Sequence, residues 1–479
     1  MTLDRLAKYN KYNDIATCRV LSLLAPALSA WTAFLLARYL TRDTFASFIG
    51  GYLFGFSSYE LGQLLGHLNL NLIFVVPLLL LLVVQRVSGD LLRPRFVAAL
   101  AIATLVQLGF STEILATSCL FGAIAWLIFL AFSSPEERQR LWIVAGDIIL
   151  SGAITVALAA PFLFFAFKGL TGLPRLLNDP ELFSADLLNY LVPTQVTRLG
   201  GDFCANVASR FPGNPSEQGA YLGLPLILIL IFQFLGIRRR PYLTPVLVNL
   251  IVLLLFSLGP TLHVAGVRTR LWLLWHLGLN LPFIQHAIPT RFSMFVALLA
   301  ALVAALWLSE SRRGWDRTGR FALAALACLF LMPNPALPPW TPLPEEPFFQ
   351  PQNVASVLGR GANVIVLPFG YQGPCMIWQL QSGMFFTQSG GNIGFPPLAE
   401  LALPIVGHFY VGVGGPNFEN DLLAYCLSHR VSAILVGPGT PAPLAAAVEA
   451  LHWREVQNHG IRVVYVPDRL RVQTKAEGE

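Results

Sequence analysis

The stretch Phe54–Val84, "FGFSSYELGQLLGHLNLNLIFVVPLLLLLVV", sets a polar band directly against an apolar run. Its second half has no charge and approaches the ~20 residues needed to cross a bilayer core. Its first half gathers Glu60, Gln63, His67, Asn69 and Asn71. Apolar runs recur along the chain: Thr17–Leu40, Phe45–Ser58, Leu70–Val84, Phe96–Phe110, Ile114–Phe132, Leu141–Phe165, Leu222–Leu235, Leu243–Leu258, Phe292–Leu308 and Phe321–Met332. The chain is 55% hydrophobic and 12% charged, with a mean hydropathy of +0.61. A soluble domain carries roughly 25% charged residues. The reading is an all-α polytopic membrane bundle of about ten transmembrane helices.

Charge sets the orientation. Alternate connections are rich in arginine: Arg38 and Arg42; Arg86, Arg93 and Arg95; Arg138 and Arg140; Arg238 to Arg240; and "SRRGWDRTGR" at 311–320. The connections at 59–69 and 111–113 contain no Lys or Arg. Basic loops stay cytoplasmic, so the second set faces outward. The net charge of +6 therefore reports topology. A nucleic-acid partner is excluded, because no basic tract is interleaved with aromatics. By the same alternation the N-terminus lies outside, although Arg5, Lys8, Lys11 and Arg19 would hold it inside. One further helix upstream would remove the conflict, so a chain shortened relative to its relatives is expected.

The alternation gives a membrane domain over residues 1–333, with external loops at 166–221 and 259–291. In the second loop, "LWLLWHLGLNL" (271–281) is amphipathic with two Trp and suits a helix lying in the interface. Residues 333–351 hold eight prolines in nineteen positions, and a stiff spacer is expected over 334–351. From 352 to 479, "NVIVLPF", "VSAILVG" and "IRVVYVP" alternate with helical stretches, predicting a small extracytoplasmic α/β domain. The six cysteines include no CxxC. Cys204, Cys375 and Cys426 lie in polar segments with room for one disulfide.

Ionisable residues at membrane depth are costly and mark function by default. Glu60 and His67 are seven apart, so one continuous helix would put both on the same face toward an outward cavity. Asp186 and Glu217 are the loop carboxylates suited to acid–base work. Arg291, in "AIPTRF", opens a helix from the external side, and its fork suits a phosphate. Glu113 follows Ser111 and Thr112 at a helix start and reads as part of a cap. Asp147 reads as the partner of a loop arginine. No cofactor motif is present, and the pattern leaves a divalent metal open.

The ordered pieces "LLAPALSAWTAFLLARYLT", "GGYLFGFSSYELGQLLGHLNLN", "STEILAT", "SADLLNYLVP", "EQGAYLG", "FSLGPTLHVAG" and "IPTRF" resemble bacterial multi-span proteins related to the GT-C membrane glycosyltransferases. The resemblance runs through most of residues 12–310. It implies a GT-C-like enzyme of the bacterial inner (cytoplasmic) membrane. Such an enzyme moves a sugar from a polyprenyl-phosphate carrier to an envelope glycan or lipid on the outer side. It also implies an acidic residue, usually Asp, in the first external loop, where only Asp4 and Asp14 stand here. Arg291 then becomes the phosphate contact, and the Glu60–His67 region part of the cavity. The alternative is a non-catalytic membrane scaffold, or an envelope-polysaccharide assembly protein, that binds through its external domain.

Overall fold

The computed structural model describes residues 3–169, 178–280, 286–311, 314–337, 345–392 and 396–467. They fall into two compact units, one built from residues 18–166 and 178–340, the other mainly from residues 341–479.

The first unit is mostly helical. Its helices are α1 (Leu3–Thr41, from residue 18 onward in this unit), α2 (Thr44–Gly55), α3 (Ser58–Gln63), α4 (Leu68–Asn71), α5 (Val75–Ser88), α6 (Arg93–Phe110), α7 (Thr112–Phe132) and α8 (Pro135–Gly169). Then come α9 (Ala205–Ala208), α10 (Leu224–Leu235), α11 (Leu243–Ser257), a hairpin of β1 (Thr261–Val264) and β2 (Val267–Trp272), α12 (Ser293–Ser309) and α13 (Trp315–Phe330).

Each of the ten apolar runs is helical, and among the described residues six stretches are both long and apolar enough to cross a membrane. These are Thr17–Thr41, Leu68–Ser88, Arg93–Phe110, Thr112–Phe132, Pro135–Lys168 and Pro289–Ser309. The chain is a multi-pass membrane protein. The other runs fall short: α2 has 12 residues, about 18 Å of helix against a core of about 30 Å. The "LWLLWHLGLNL" segment is not an α-helix. It finishes β2 and then forms a 3-10 stretch, Leu274–Asn280, and its last residue lies outside the described part.

Helix α12, "SMFVALLAALVAALWLS", is buried nearly all round and packs on α2, α10, α11 and α13. Small residues permit this. A Cβ on Gly50 would come within 3.0 Å of the Ala305 Cβ. At Gly55 it would come within 2.5 Å of the Ala30 backbone nitrogen and the Pro26 carbonyl oxygen. Close backbone approach between small residues drives helix association in lipid.

Away from that core, α5, α6 and α8 are tied by one buried carboxylate. Asp147 accepts Arg86 Nη2 at 2.9 Å and Arg93 Nε at 2.7 Å. Arg86 is mostly buried, whereas Arg93 is largely exposed.

In the second unit the helices are α14 (Pro351–Ala355), α15 (Cys375–Gln381), α16 (Leu398–Leu401), α17 (Pro404–Val411), α18 (Phe418–Ser428) and α19 (Ala442–Glu449). Its strands are β3 (Asn363–Leu367), β4 (Thr387–Gln388), β5 (Ala433–Val436), β6 (Glu455–Asn458) and β7 (Ile461–Tyr465). They form one sheet in the order β4-β3-β5-β7-β6. The β4-β3-β5 half is parallel and the β5-β7-β6 half antiparallel. Strand alternation divides the core in two. Ile365, Leu367, Ile434, Val436 and Val464 pack on one face with Phe409 and Leu422. Val364, Val366, Ala433, Leu435 and Val463 pack on the other with Phe349 and Trp378. Both faces are covered, which is why β3 and β5 read as unbroken apolar runs. None of the six cysteines is in a disulfide. The spacer expected over 334–351 lies partly outside the described residues, at 338–344.

Replacing Asp147 with Ala strands the buried Arg86 cation, a loss of about 3–5 kcal/mol. Thermal melts of purified variants should rank the damage Asp147→Ala above Arg86→Ala, with Arg93→Ala mildest because its charge is already wet. Equal melts for all three would show that the triad contributes nothing.

Candidate functional site

Four elements meet around Arg291. The arginine lies in a 3-10 turn, Pro289–Phe292, that leads directly into α12. Pro289 suits the first position of such a turn, having no N–H to lose. The Arg291 side chain is 12% exposed. Its Nε donates to both Glu217 oxygens at 3.1 Å, and Nη2 donates to Glu217 Oε1 at 2.5 Å. Its Nη1 turns the other way and donates to Glu113 Oε2 at 2.5 Å.

Each carboxylate is held by its own local device. Glu113 begins α7, where Ser111 Oγ accepts the Ile114 N–H and so performs the cap alone. The Glu113 carboxylate is thereby free to leave the helix end and reach Arg291. Glu217 closes a short 3-10 turn, Pro215–Glu217, whose N–H groups at Ser216 and Glu217 donate to Asn214 Oδ1. Gln63 Nε2 donates to Ser216 O at 3.0 Å and to Glu217 Oε2 at 3.4 Å. Thr290 Oγ1 donates to Glu217 O at 2.8 Å. The loop lies tight against α3, since a Cβ on Gly219 would stand 2.7 Å from the Tyr59 Cα.

Glu60 and His67 flank this cluster, but not on one helix. Helix α3 ends at Gln63, and His67 has extended-type backbone (φ −124) as it leads into α4, so the expected shared helical face does not exist. Glu60 is fully buried. Its Oε1 accepts Ser29 Oγ at 3.0 Å, and its backbone oxygen accepts Asn71 Nδ2 at 3.0 Å. Oε2 has no hydrogen-bond partner among the described residues. Burial pushes the Glu60 carboxyl well above the usual carboxylate range, with the Ser29 hydroxyl opposing. Burial holds the His67 imidazole below its ordinary value; Glu217 opposes that shift and Arg291 adds to it. The histidine is therefore neutral near pH 7, and its buried Nδ1 has no hydrogen-bond partner among the described residues.

The structure thus brings Glu217 and Arg291 together, sets His67 beside them and leaves Glu60 next to Ser29. It gives Asp186 different work. That carboxylate accepts the N–H groups of Leu188, Ala265 and Gly266 at 2.7–2.9 Å, capping a 3-10 turn and holding the β1–β2 turn. Three backbone donors account for its burial. Sequence reading assigned Glu113 to a cap. The available signal was Arg291 itself, because an arginine opening an apolar helix requires counter-charges at the same depth. Among the described residues, no group of three His, Cys, Asp or Glu side chains is arranged to hold a metal. The side chains of Asp4 and Asp14 lie outside the described part.

A multi-pass helical unit carrying a buried arginine between two carboxylates defines the class of this protein. Residues 14–332 match the family described as "Domain of unknown function (DUF6311)", and the chain belongs to that family. The match contains the whole Arg291 cluster and Glu60. No curated protein matches the chain. Among solved structures it is similar to the arabinofuranosyltransferase AftD from Mycobacteria, seen by single-particle cryo-EM, with a TM-score of 0.53 and 14% identity. The likeness covers 95% of this chain and 34% of that one, so the chain spans about a third of that protein's length, and what they share is the fold.

The Glu60 carboxyl supplies a pH test. Folding raises its pKa, so between the unfolded value and the folded one the native state holds a proton that the unfolded state has lost. Stability is full below that window and declines as pH rises through it. Glu60→Gln keeps an acceptor for Ser29 and cannot ionise. Its melting temperature should gain on the wild type as pH rises from about 4. A constant difference across pH would mean that Glu60 is ionised in the folded protein.

Proposed function

We propose that this protein is a GT-C-like membrane glycosyltransferase. It moves a sugar from a polyprenyl-phosphate carrier to an envelope glycan or lipid on the outer side of the bacterial inner membrane, with its α/β domain also outside. The observation that carries this reading is the Glu113–Arg291–Glu217 cluster, at the end of the bundle assigned outward by the loop charges. The fold shared with an arabinofuranosyltransferase supports it.

In such a transfer the acceptor oxygen bonds to the anomeric carbon, the carbon–phosphate-oxygen bond breaks, and the acceptor proton must leave. A carboxylate suits both the proton and the positive charge that develops at the sugar. Glu113 is the better placed of the two, being 26% exposed where Glu217 is 2% exposed. Glu217, fixed by Arg291, Gln63 and Asn214, acts as a positioning residue. It holds Arg291, which in turn aims Glu113. Arg291 itself is a poor phosphate contact, because all three guanidinium nitrogens already face carboxylate oxygens. His67, with a free ring nitrogen beside the cluster, is the group suited to the leaving phosphate or the acceptor hydroxyl.

The test is sugar transfer from a polyprenyl-phosphate donor by purified, reconstituted protein. Glu113→Gln should lower turnover by about 10²–10⁴ with KM little changed. Arg291→Lys should cost less and shift the pH profile. Full turnover in Glu113→Gln would remove that residue from the chemistry. No transfer by a folded wild type across a range of donors would favour the scaffold reading.

A further inference from the structure

The β1–β2 hairpin presents a surface that the proposed chemistry does not use. Its mounting is rigid. The turn residues Ala265 (φ 54) and Gly266 (φ 81) lie in the left-handed region, and the N–H groups of both donate to Asp186. A Cβ on Gly266 would stand 2.2 Å from the Arg210 carbonyl oxygen, so glycine is required there. At the open end, the Leu273 N–H donates to Pro260 O. The hairpin is thus held at both ends.

What it presents is unusual for a strand, since β2 is exposed along nearly its whole length. Alternation puts Arg268, Arg270 and Trp272 on one face and Val267, Thr269 and Leu271 on the other. Val267 is 67% exposed, Leu271 57% and Trp272 75%. A groove of about 510 Å³ runs along Thr261, Arg268, Thr269, Arg270 and Trp272. Within it, Arg268 Nη2 donates to Glu181 Oε1 at 3.1 Å and Nε donates to Thr261 Oγ1 at 3.1 Å, which fixes its guanidinium. Glu181 is the acidic group on this face. Arg270 makes no ion pair among the described residues. The 3-10 stretch that follows continues the apolar exposure at Leu277. The Trp272 ring lies 5.0 Å from the His276 ring.

Position completes the argument. Helix α11 ends at Ser257, four residues before the hairpin starts, and the membrane-crossing stretch Pro289–Ser309 begins after it. The hairpin therefore leaves and re-enters apolar helices at one end of the bundle, where headgroups lie. Exposed tryptophan and aliphatic side chains favour that layer, and surplus arginine favours anionic lipid within it.

We infer that the β1–β2 hairpin is a lipid-headgroup clamp: Val267, Leu271 and Trp272 enter the bilayer surface while Arg268 and Arg270 hold the phosphate of an anionic phospholipid. It is independent of the Arg291 cluster.

The experiment uses the full chain in phosphatidylcholine vesicles containing brominated phosphatidylcholine or brominated phosphatidylglycerol. The signal is the tryptophan emission of wild type minus that of Trp272→Phe. Both brominated lipids should quench it, the glycerol lipid at lower mole fraction, with a preference of about fivefold per arginine at low salt. Arg268→Gln/Arg270→Gln should abolish the preference and keep the quenching. Val267→Trp supplies a second reporter if Trp272→Phe does not fold. Absence of quenching at both reporters overturns the clamp. Equal quenching by the two lipids in the unsubstituted hairpin overturns the phosphate selection. A change of the Trp272 signal on adding inorganic phosphate to vesicles of phosphatidylcholine alone would replace the lipid with a soluble anion.

Discussion

Arg291 is the cation around which the described membrane unit closes. In hydrocarbon surroundings a guanidinium at the mouth of a helix is tolerated only with its charge balanced and its N–H groups engaged. Glu113 and Glu217 do both from opposite sides. Because these three residues belong to α7, the 215–219 loop and the entry to α12, satisfying the arginine also fixes three chain segments. The loop is then pinned twice more, by Gln63 from α3 and by Thr290 beside the arginine. Removing the cation would leave the buried Glu217 and the half-buried Glu113 without their shared partner, a worse arrangement than the loss of one contact suggests.

The membrane class was legible because hydrophobicity is a sum over many residues, and no single side chain decides it. Where the helices lie was legible for the same reason. Which of them reach across was not, because length in a structure depends on where capping ends a helix. Asp43 accepts the Ala46 N–H and starts α2 at Thr44, and the helix ends at Gly55, three residues short of Ser58, leaving 12 residues. In the "LWLLWHLGLNL" segment the helical periodicity was genuine, but Asp186, far away in sequence, holds the preceding turn and commits the chain to a strand through Trp272. No local pattern encodes that.

The candidate site shows the same division. Glu217 and Arg291 could be singled out by type, yet nothing in their separation of 74 residues says that they touch. Glu113 was hidden by a reading that was locally sound. "STE" at a helix start does contain a cap, but Ser111 alone supplies it. Glu60 and His67 were placed on a common face by counting seven residues along a helix. The Gly62 and Gly66 positions carried the contrary signal: at Gly62 a Cβ would come within 2.9 Å of the Ser216 carbonyl oxygen, and α3 ends between the two glycines. Asp186 looked like an acid–base group because a loop carboxylate is ambiguous until its donors are seen.

The two kinds of buried carboxylate carry the deepest consequence for chemistry. Glu60 has a hydroxyl and no cation among its hydrogen-bond partners, so burial, opposed only by Ser29, pushes its carboxyl upward. Glu113 and Glu217 share one guanidinium, whose N–H groups reach both. Glu60 and Gln63, the residue that reaches Glu217, lie on the same short helix α3, so a carboxyl without a cation and a cation-bound pair are linked through it. Enzymes that hold two carboxyl groups to different tasks separate them by environment in this way, and not by residue type. The division falls among residues 60 to 291, inside the family match.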